Sequence, residues 1–289
     1  MPLLCYTLAM TQNNDLNIVF FGTPEFSVVI LKEMEKAGFT PRTIVTAPDR
    51  KVGRKQLLTP PAVALWAKDH DIALLQPEHP QDVISELKET KADLFIVAAY
   101  GYIISQEILD IPRHGTLNVH TSLLPKYRGA CPIESAILHG DSETGSTIML
   151  MDAKMDHGPI ISQERIELSE HTHREELFNI LAHHGGELLG RTIKPWIDGS
   201  IIPQEQEHDR ASFCYKISKT DGDITQDDDS TRYRKYLAYY GWPGVFFFND
   251  QGKRIKVTKA QYEDGHFIIM RVIPEGKSEM DYQTYLSTN

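Results

Sequence analysis

The sequence predicts an α/β fold: a Rossmann-like, mostly parallel sheet followed by a small C-terminal OB-like β-barrel. Three observations predict it. Short apolar runs, Asn17–Phe21 and Asp93–Ala99 the clearest, alternate with helix-length segments. Continuously apolar strands of this kind belong to a parallel sheet covered by helices on both faces. Beyond residue 210 the pattern changes to short strand-like runs broken by turn signals, as in small antiparallel β domains.

Asn17–Phe21 ends at Gly22-Thr23-Pro24, so a buried strand enters a helix with Pro near its first turn. That helix spans 24–37 and stops at Gly38. Residues 42–46 form the second strand, and helices follow over 61–70 and 82–89. Asp93–Ala99 is the next buried strand, then Thr116–Val119, Gly145–Met151 and Pro159–Leu168. A long amphipathic helix, Thr172–Ile197, closes this part and ends at Asp198-Gly199. Residues 203–210 are polar without periodicity, the composition of a linker. Then Gly244–Phe248, Lys253–Val257 and His266–Met270 read as strands, the first two joined by a turn at Asn249–Gly252. Asp227-Asp228-Asp229 reads as a solvated loop. The predicted organisation is a disordered extension over 1–15 (with Met10 an alternative start), a catalytic domain over 16–203, a linker over 204–210 and a barrel over 211–289.

Composition narrows the function. The 289 residues carry a net charge of −10, which excludes a generic polyanion binder and leaves any nucleic-acid contact to local basic patches. Cys5, Cys131 and Cys214 are few, odd in number and widely spaced; a reducing, cytoplasmic setting fits better than a disulfide framework. The chain contains no apolar run approaching the roughly 18 residues of a membrane span. The Gly22 turn lacks the second and third glycines of a dinucleotide fingerprint, so NAD is not expected.

Ligands of open α/β sheets bind beyond the carboxyl ends of the strands. Gly22, Tyr100-Gly101 and Asn118 each follow such an end. Asn118, His120 and Asp156 stand beside turns marked by Pro or Gly. Together they are the groups needed to move an acyl carbon onto an amine: two hydrogen-bond donors for a developing oxyanion, and a carboxylate to orient the His or accept a proton through water. No Ser or Cys nucleophile is required. The same residues also occur as ordinary turn and cap residues. His171, His173, His183 and His184 lack a defined metal-ligand pattern, and no metal is expected.

The strings Asn118-x-His120-x-Ser122-Leu123-Leu124-Pro125-x-x-Arg128-Gly129, Asp141-x-Glu143-Thr144-Gly145-x-Thr147 and Asp156-x-Gly158 resemble the folate-dependent formyltransferases, within them the branch acting on methionyl-tRNA. The similarity extends from Asn17 to about Leu286. It implies 10-formyltetrahydrofolate as co-substrate and initiator methionyl-tRNA as acceptor, for a monomer without a membrane partner. It implies Asn118, His120 and Asp156 as catalytic residues. It places Phe21, Gly22, Tyr100, Gly101, Tyr102 and Ile103 in the folate pocket. Ser122, Leu123, Leu124 and Pro125 join that pocket and shape the amine's entrance. Arg128 is either part of that entrance or a structural pin. Cys131 reads as packing.

Arg50, Lys51, Arg54 and Lys55 put four positive charges within six residues of an acidic protein, which suits phosphate contact. The Pro-Asp-Arg…Gly-Arg pattern before Thr59-Pro60 resembles the tRNA branch and implies that these four contact tRNA. Arg232, Arg234, Lys235, Lys253, Arg254, Lys256 and Lys259 offer a second such surface. His157 replaces the small residue usual in the family. A sugar-nucleotide N-formyltransferase, a formyl-folate hydrolase and a binding protein without turnover remain the alternatives.

Overall fold

The computed structural model describes residues 16–53 and 55–288; the predicted extension over 1–15 and Arg54 of the basic loop lie outside the described residues. The chain begins β1 (Ile18–Gly22), α1 (Glu25–Lys36), β2 (Thr43–Val45), β3 (Arg50–Val52), β4 (Leu57–Thr59), α2 (Ala62–Asp69), β5 (Ala73–Leu75), α3 (Ile84–Thr90) and β6 (Leu94–Ala98). It continues through α4 (Gln106–Leu109), β7 (Thr116–His120), β8 (Arg128–Gly129), α5 (Pro132–His139), β9 (Glu143–Leu150), β10 (Ile160–Glu167) and α6 (Arg174–Ile197). It ends with β11 (Phe213–Cys214), α7 (Asp229–Ala238), β12 (Val245–Phe248), β13 (Arg254–Glu263), β14 (His266–Pro274), β15 (Met280–Asp281) and α8 (Tyr282–Thr288).

Two compact units result. The first holds residues up to His120 together with Ser146–Glu164 and Ala182–Gln206; the second holds Thr121–Gly145, Arg165–Leu181 and the residues from Glu207 onward. The division therefore interleaves along the sequence, and β9, β10 and α6 are each shared between the units.

A seven-stranded sheet in the order β10-β9-β7-β6-β1-β2-β5 dominates the fold. β5, β2, β1, β6 and β7 pair in parallel, and β9 runs antiparallel to β7. Every residue of β1, β6 and β7 is buried, as central strands covered on both faces require. Val19, Phe21, Phe95, Val97, Leu87 and Ile108 form one core on this sheet. From β1 the chain goes out to β2 and β5, then returns to β6 on the other side of β1. This reversal is a topological switch point, the usual place for a ligand crevice.

In the second unit, β12, β13, β14 and β15 form an antiparallel meander. Ile255 and Val257 of β13 are buried while the alternating Arg254 and Lys256 are exposed, the pattern of a sheet with one wet face. Tyr285 of α8 packs with Ile255 and Val272. Tyr127, Ile133, Ile137, Leu177, Leu237 and Val245 share the main core of this unit.

The structure departs from the reading of Asp227–Asp229 as a solvated loop. Asp228 caps α7, accepting a hydrogen bond from the Thr231 N–H at 2.7 Å, and Asp229 is the first helical residue. Aspartate is favoured at both places because the first backbone N–H groups of a helix lack intrahelical partners. The basic loop is itself a hairpin, β3 paired with β4, with Val52 opposite Leu57.

Candidate active site

Asn118 and His120 alternate with Val119 on β7, so their side chains leave the same face of the strand. β7 lies inside the sheet, with Asn118 in register with Val97 of β6 and Met149 of β9. Ladder bonding on both sides makes this a rigid platform. Asn118 is 9% exposed and His120 5%. Asp156 comes from the turn after β9. Its Oδ2 lies 3.7 Å from His120 Nδ1, and its Oδ1 lies 3.5 Å from Asn118 Nδ2. These separations exceed a full hydrogen bond. Little water reaches the cluster: 6% of the His120 side chain and 15% of the Asp156 side chain are exposed.

The Asp156 turn is tightly built. Asp156 has φ +46°, a left-handed conformation uncommon for a non-glycine residue. A Cβ at Gly158 would stand 1.9 Å from the Leu150 carbonyl oxygen, so only glycine fits there. His157 Nδ1 lies 2.7 Å from Asp152 Oδ2. Gln206 donates through Nε2 to the carbonyls of Asp156 (2.9 Å) and Gly158 (2.7 Å). Sequence reasoning missed Gln206: it lies in the polar 203–210 stretch, where nothing separates it from its neighbours.

At the switch point, Ser27 Oγ donates to the Ala98 carbonyl at 2.6 Å and Thr23 Oγ1 donates to the Tyr100 carbonyl at 3.0 Å. These bonds tie the turn after β1, with Gly22, to the loop after β6. Phe21 is fully buried beneath that loop, its ring 5.4 Å from Tyr100 and 5.2 Å from Phe95. It supports the loop from below. Tyr100 is 3% exposed, and its hydroxyl has no hydrogen-bond partner among the described residues. Burial, with Tyr102 adding to it, raises the Tyr100 pKa and keeps the phenol neutral. Gly101 is exposed, Tyr102 half-buried, and Ile103 88% exposed. An orphaned hydroxyl, open backbone and uncovered apolar side chains fit a flat heteroaromatic ligand with polar edges.

In the second unit, Ser122 is buried and its Oγ donates to the Lys126 carbonyl at 2.5 Å. Leu124 is buried, Leu123 and Pro125 are half-buried, and the Leu124–Pro125 peptide is cis. Arg128 is 3% exposed and pairs with His208 Nδ1 at 2.8 Å, the geometry of a structural pin. Burial pushes the Cys131 thiol pKa up, against the direction a nucleophile needs.

Arg50 pairs with Glu78 at 2.5 Å, whereas Lys51 and Lys55 are exposed. Val52, Leu57 and Leu58 are also exposed on this hairpin. Of the later cations, Arg232 and Lys235 are engaged with Ile224, Thr225, Asp223 and Asp227, while Lys253, Lys256 and Lys259 are exposed. His183 pairs with Glu33 and His184 with Ser146. Among the described residues no three His, Cys, Asp or Glu side chains gather as a metal site, and no helix is long and apolar enough to cross a membrane.

The profile described as "Formyl transferase" matches residues 16–193. A relative named "Methionyl-tRNA formyltransferase" from Halalkalibacterium halodurans is 40% identical over 249 residues, 85% of this chain and 78% of that protein. Another of that name from Campylobacter lari is 37% identical over 295 residues, 94% of this chain and 96% of that protein. Among solved structures, an N-formyltransferase from Helicobacter canadensis in complex with folinic acid and dTDP-3-aminofucose superposes with a TM-score of 0.64 at 18% identity, over 88% of this chain and 95% of that one. At that identity the likeness speaks to fold alone.

Proposed function

This chain belongs to the formyl transferase family, and we propose that it transfers the formyl group of 10-formyltetrahydrofolate to the amino group of initiator methionyl-tRNA. The observation that carries the chemistry is the convergence of Asn118, His120 and Asp156 at the carboxyl end of β7. The identity to relatives that bear the methionyl-tRNA name, and the exposed cations of the β3–β4 hairpin, support the acceptor.

Bound 10-formyltetrahydrofolate supplies a formyl carbon activated by its nitrogen. Gly22 and Tyr100–Ile103 hold its ring system, with Phe21 as the floor beneath. Ser122, Leu123, Leu124 and Pro125, next in the chain after His120, take part in folate binding and guide the amine. Asn118 Nδ2 and the His120 ring donate hydrogen bonds to the formyl oxygen as negative charge builds on it, and each such donor is worth roughly 10²–10³ in rate. As the amine attacks the formyl carbon, Asp156 orients His120 and takes up the amine proton through water; when the oxyanion collapses the carbon–N10 bond breaks, that proton passes to N10 and tetrahydrofolate leaves. Arg50, Lys51, Arg54 and Lys55 contact tRNA phosphates. Residues 16–203 form the catalytic domain and 211–289 the accessory domain of a cytoplasmic monomer.

The test is transfer of labelled formyl from 10-formyltetrahydrofolate to methionyl-tRNA and, separately, to an amino sugar nucleotide, at low and moderate salt. Salt-sensitive formylation of methionyl-tRNA is expected. Label found on the sugar alone would overturn the acceptor assignment and leave the Asn-His-Asp chemistry standing.

A further inference from the structure

We propose that Gln206 is a positioning residue for the reaction: its carboxamide locks the Asp156–Gly158 turn and so sets the Asp156 carboxylate against His120. The inference rests on the function proposed above. Gln206 is 5% exposed, and a buried carboxamide persists only where its donors are used. One nitrogen, Nε2, donates to both carbonyls that flank His157, at 2.9 and 2.7 Å. The first belongs to the left-handed Asp156. Such a conformation holds only when its surroundings over-determine it. Gly158 supplies one constraint, pressed against the Leu150 carbonyl. Gln206 supplies another.

Gln206 is itself fixed. Gln204 and Ile160 exchange both backbone hydrogen bonds, at 2.7 and 2.8 Å. The stretch after Pro203 is thus pinned to the start of β10 by a single bridge, two residues from the amide that matters. At 3.7 Å from His120 and 3.5 Å from Asn118, Asp156 has little slack. A misplacement of about 1 Å at a reacting group costs on the order of 10² in rate.

Two substitutions test this. Gln206→Met keeps the length and removes the donor. Gln206→Glu keeps the shape but aims a carboxylate at two carbonyl oxygens, and burial raises the pKa of such a group. The expected result for Gln206→Met is a fall in kcat of roughly 10–10², with KM for the folate and for methionyl-tRNA within about threefold. For Gln206→Glu, kcat relative to wild type should fall at high pH and recover as pH is lowered, because the protonated acid regains one donor. That recovery occurs within a single folded protein, so misfolding does not mimic it. In an Asp156→Asn background, Gln206→Met should cost no further activity, since it acts through Asp156. Wild-type kcat in Gln206→Met, a pH-independent ratio in Gln206→Glu, or a full additional loss in the double variant would each overturn the proposal. If Asp156→Asn alone keeps full activity, the proposed catalytic cluster fails and this inference with it; if only the Gln206 substitutions are silent, the cluster stands.

Discussion

Asp156 is where a single residue separates chemistry from scaffolding. Asp156→Asn preserves shape and removes both the charge facing His120 and the proposed proton acceptor. Loss of general acid–base help typically costs 10²–10⁴, so steady-state kcat should fall by roughly that factor while circular dichroism stays unchanged. Cys131 is the contrasting case. Burial raises its thiol pKa, so Cys131→Ser should leave kcat unaltered, and iodoacetamide at neutral pH should not inactivate the enzyme. Asn118, His120 and Asp156 were singled out in the sequence by the long string that contains them more than by the Gly- or Pro-marked turns beside them, and the fold brings the three together. Gln206 was not, because its partners are backbone carbonyls, which side-chain patterns do not record. Phe21 matched a pocket motif, yet its strand is covered on both faces and its ring lies under the loop.

At the level of elements, β8 and β11 make a close contact that tolerates no side chain at Gly129. A Cβ there would stand 2.1 Å from the Cys214 carbonyl oxygen, and the residue has φ +121°. Gly129→Ala should therefore destabilise the protein by about 2–4 kcal/mol, read as a lowered midpoint of thermal or denaturant unfolding. The cap of α7 predicts a pH effect. The Thr231 backbone N–H, then its hydroxyl, hold the Asp228 carboxyl below its ordinary value of 3.8. A group lowered in the folded state contributes stability above its unfolded pKa and loses it as pH falls through the folded one. Between roughly pH 5 and 2 the wild type should lose more stability than Asp228→Asn, which caps without titrating; equal slopes would remove the cap from the acid response. Continuously apolar strands such as β1 and β6 could be read directly. The β3–β4 hairpin could not, since all six residues of its two strands are exposed and show no alternation. α7 was hidden by an acidic start and a largely polar face.

For the whole molecule, charge and chain order decide what the sequence conveys. A protein of net charge −10 that binds tRNA must do so through local cations, and Lys51 and Lys55 are exposed. Lys51→Ala and Lys55→Ala should each lower the log–log salt slope of tRNA binding by roughly 0.7–0.9, with folate affinity unaffected. Unchanged slopes would return the hairpin to an ordinary solvated surface. The α/β class was readable from the alternation of elements. The interleaving of the two units was not: it depends on pairings such as Arg128 with Phe213, two residues long and invisible to periodicity. The most direct measurement is single-turnover transfer of labelled formyl to methionyl-tRNA by wild type and Asn118→Ala, with folate binding measured alongside. The geometry predicts a loss of roughly 10²–10³ in the transfer rate at unchanged folate affinity. Transfer by Asn118→Ala at the wild-type rate, or no transfer to methionyl-tRNA by the wild type, would contradict it.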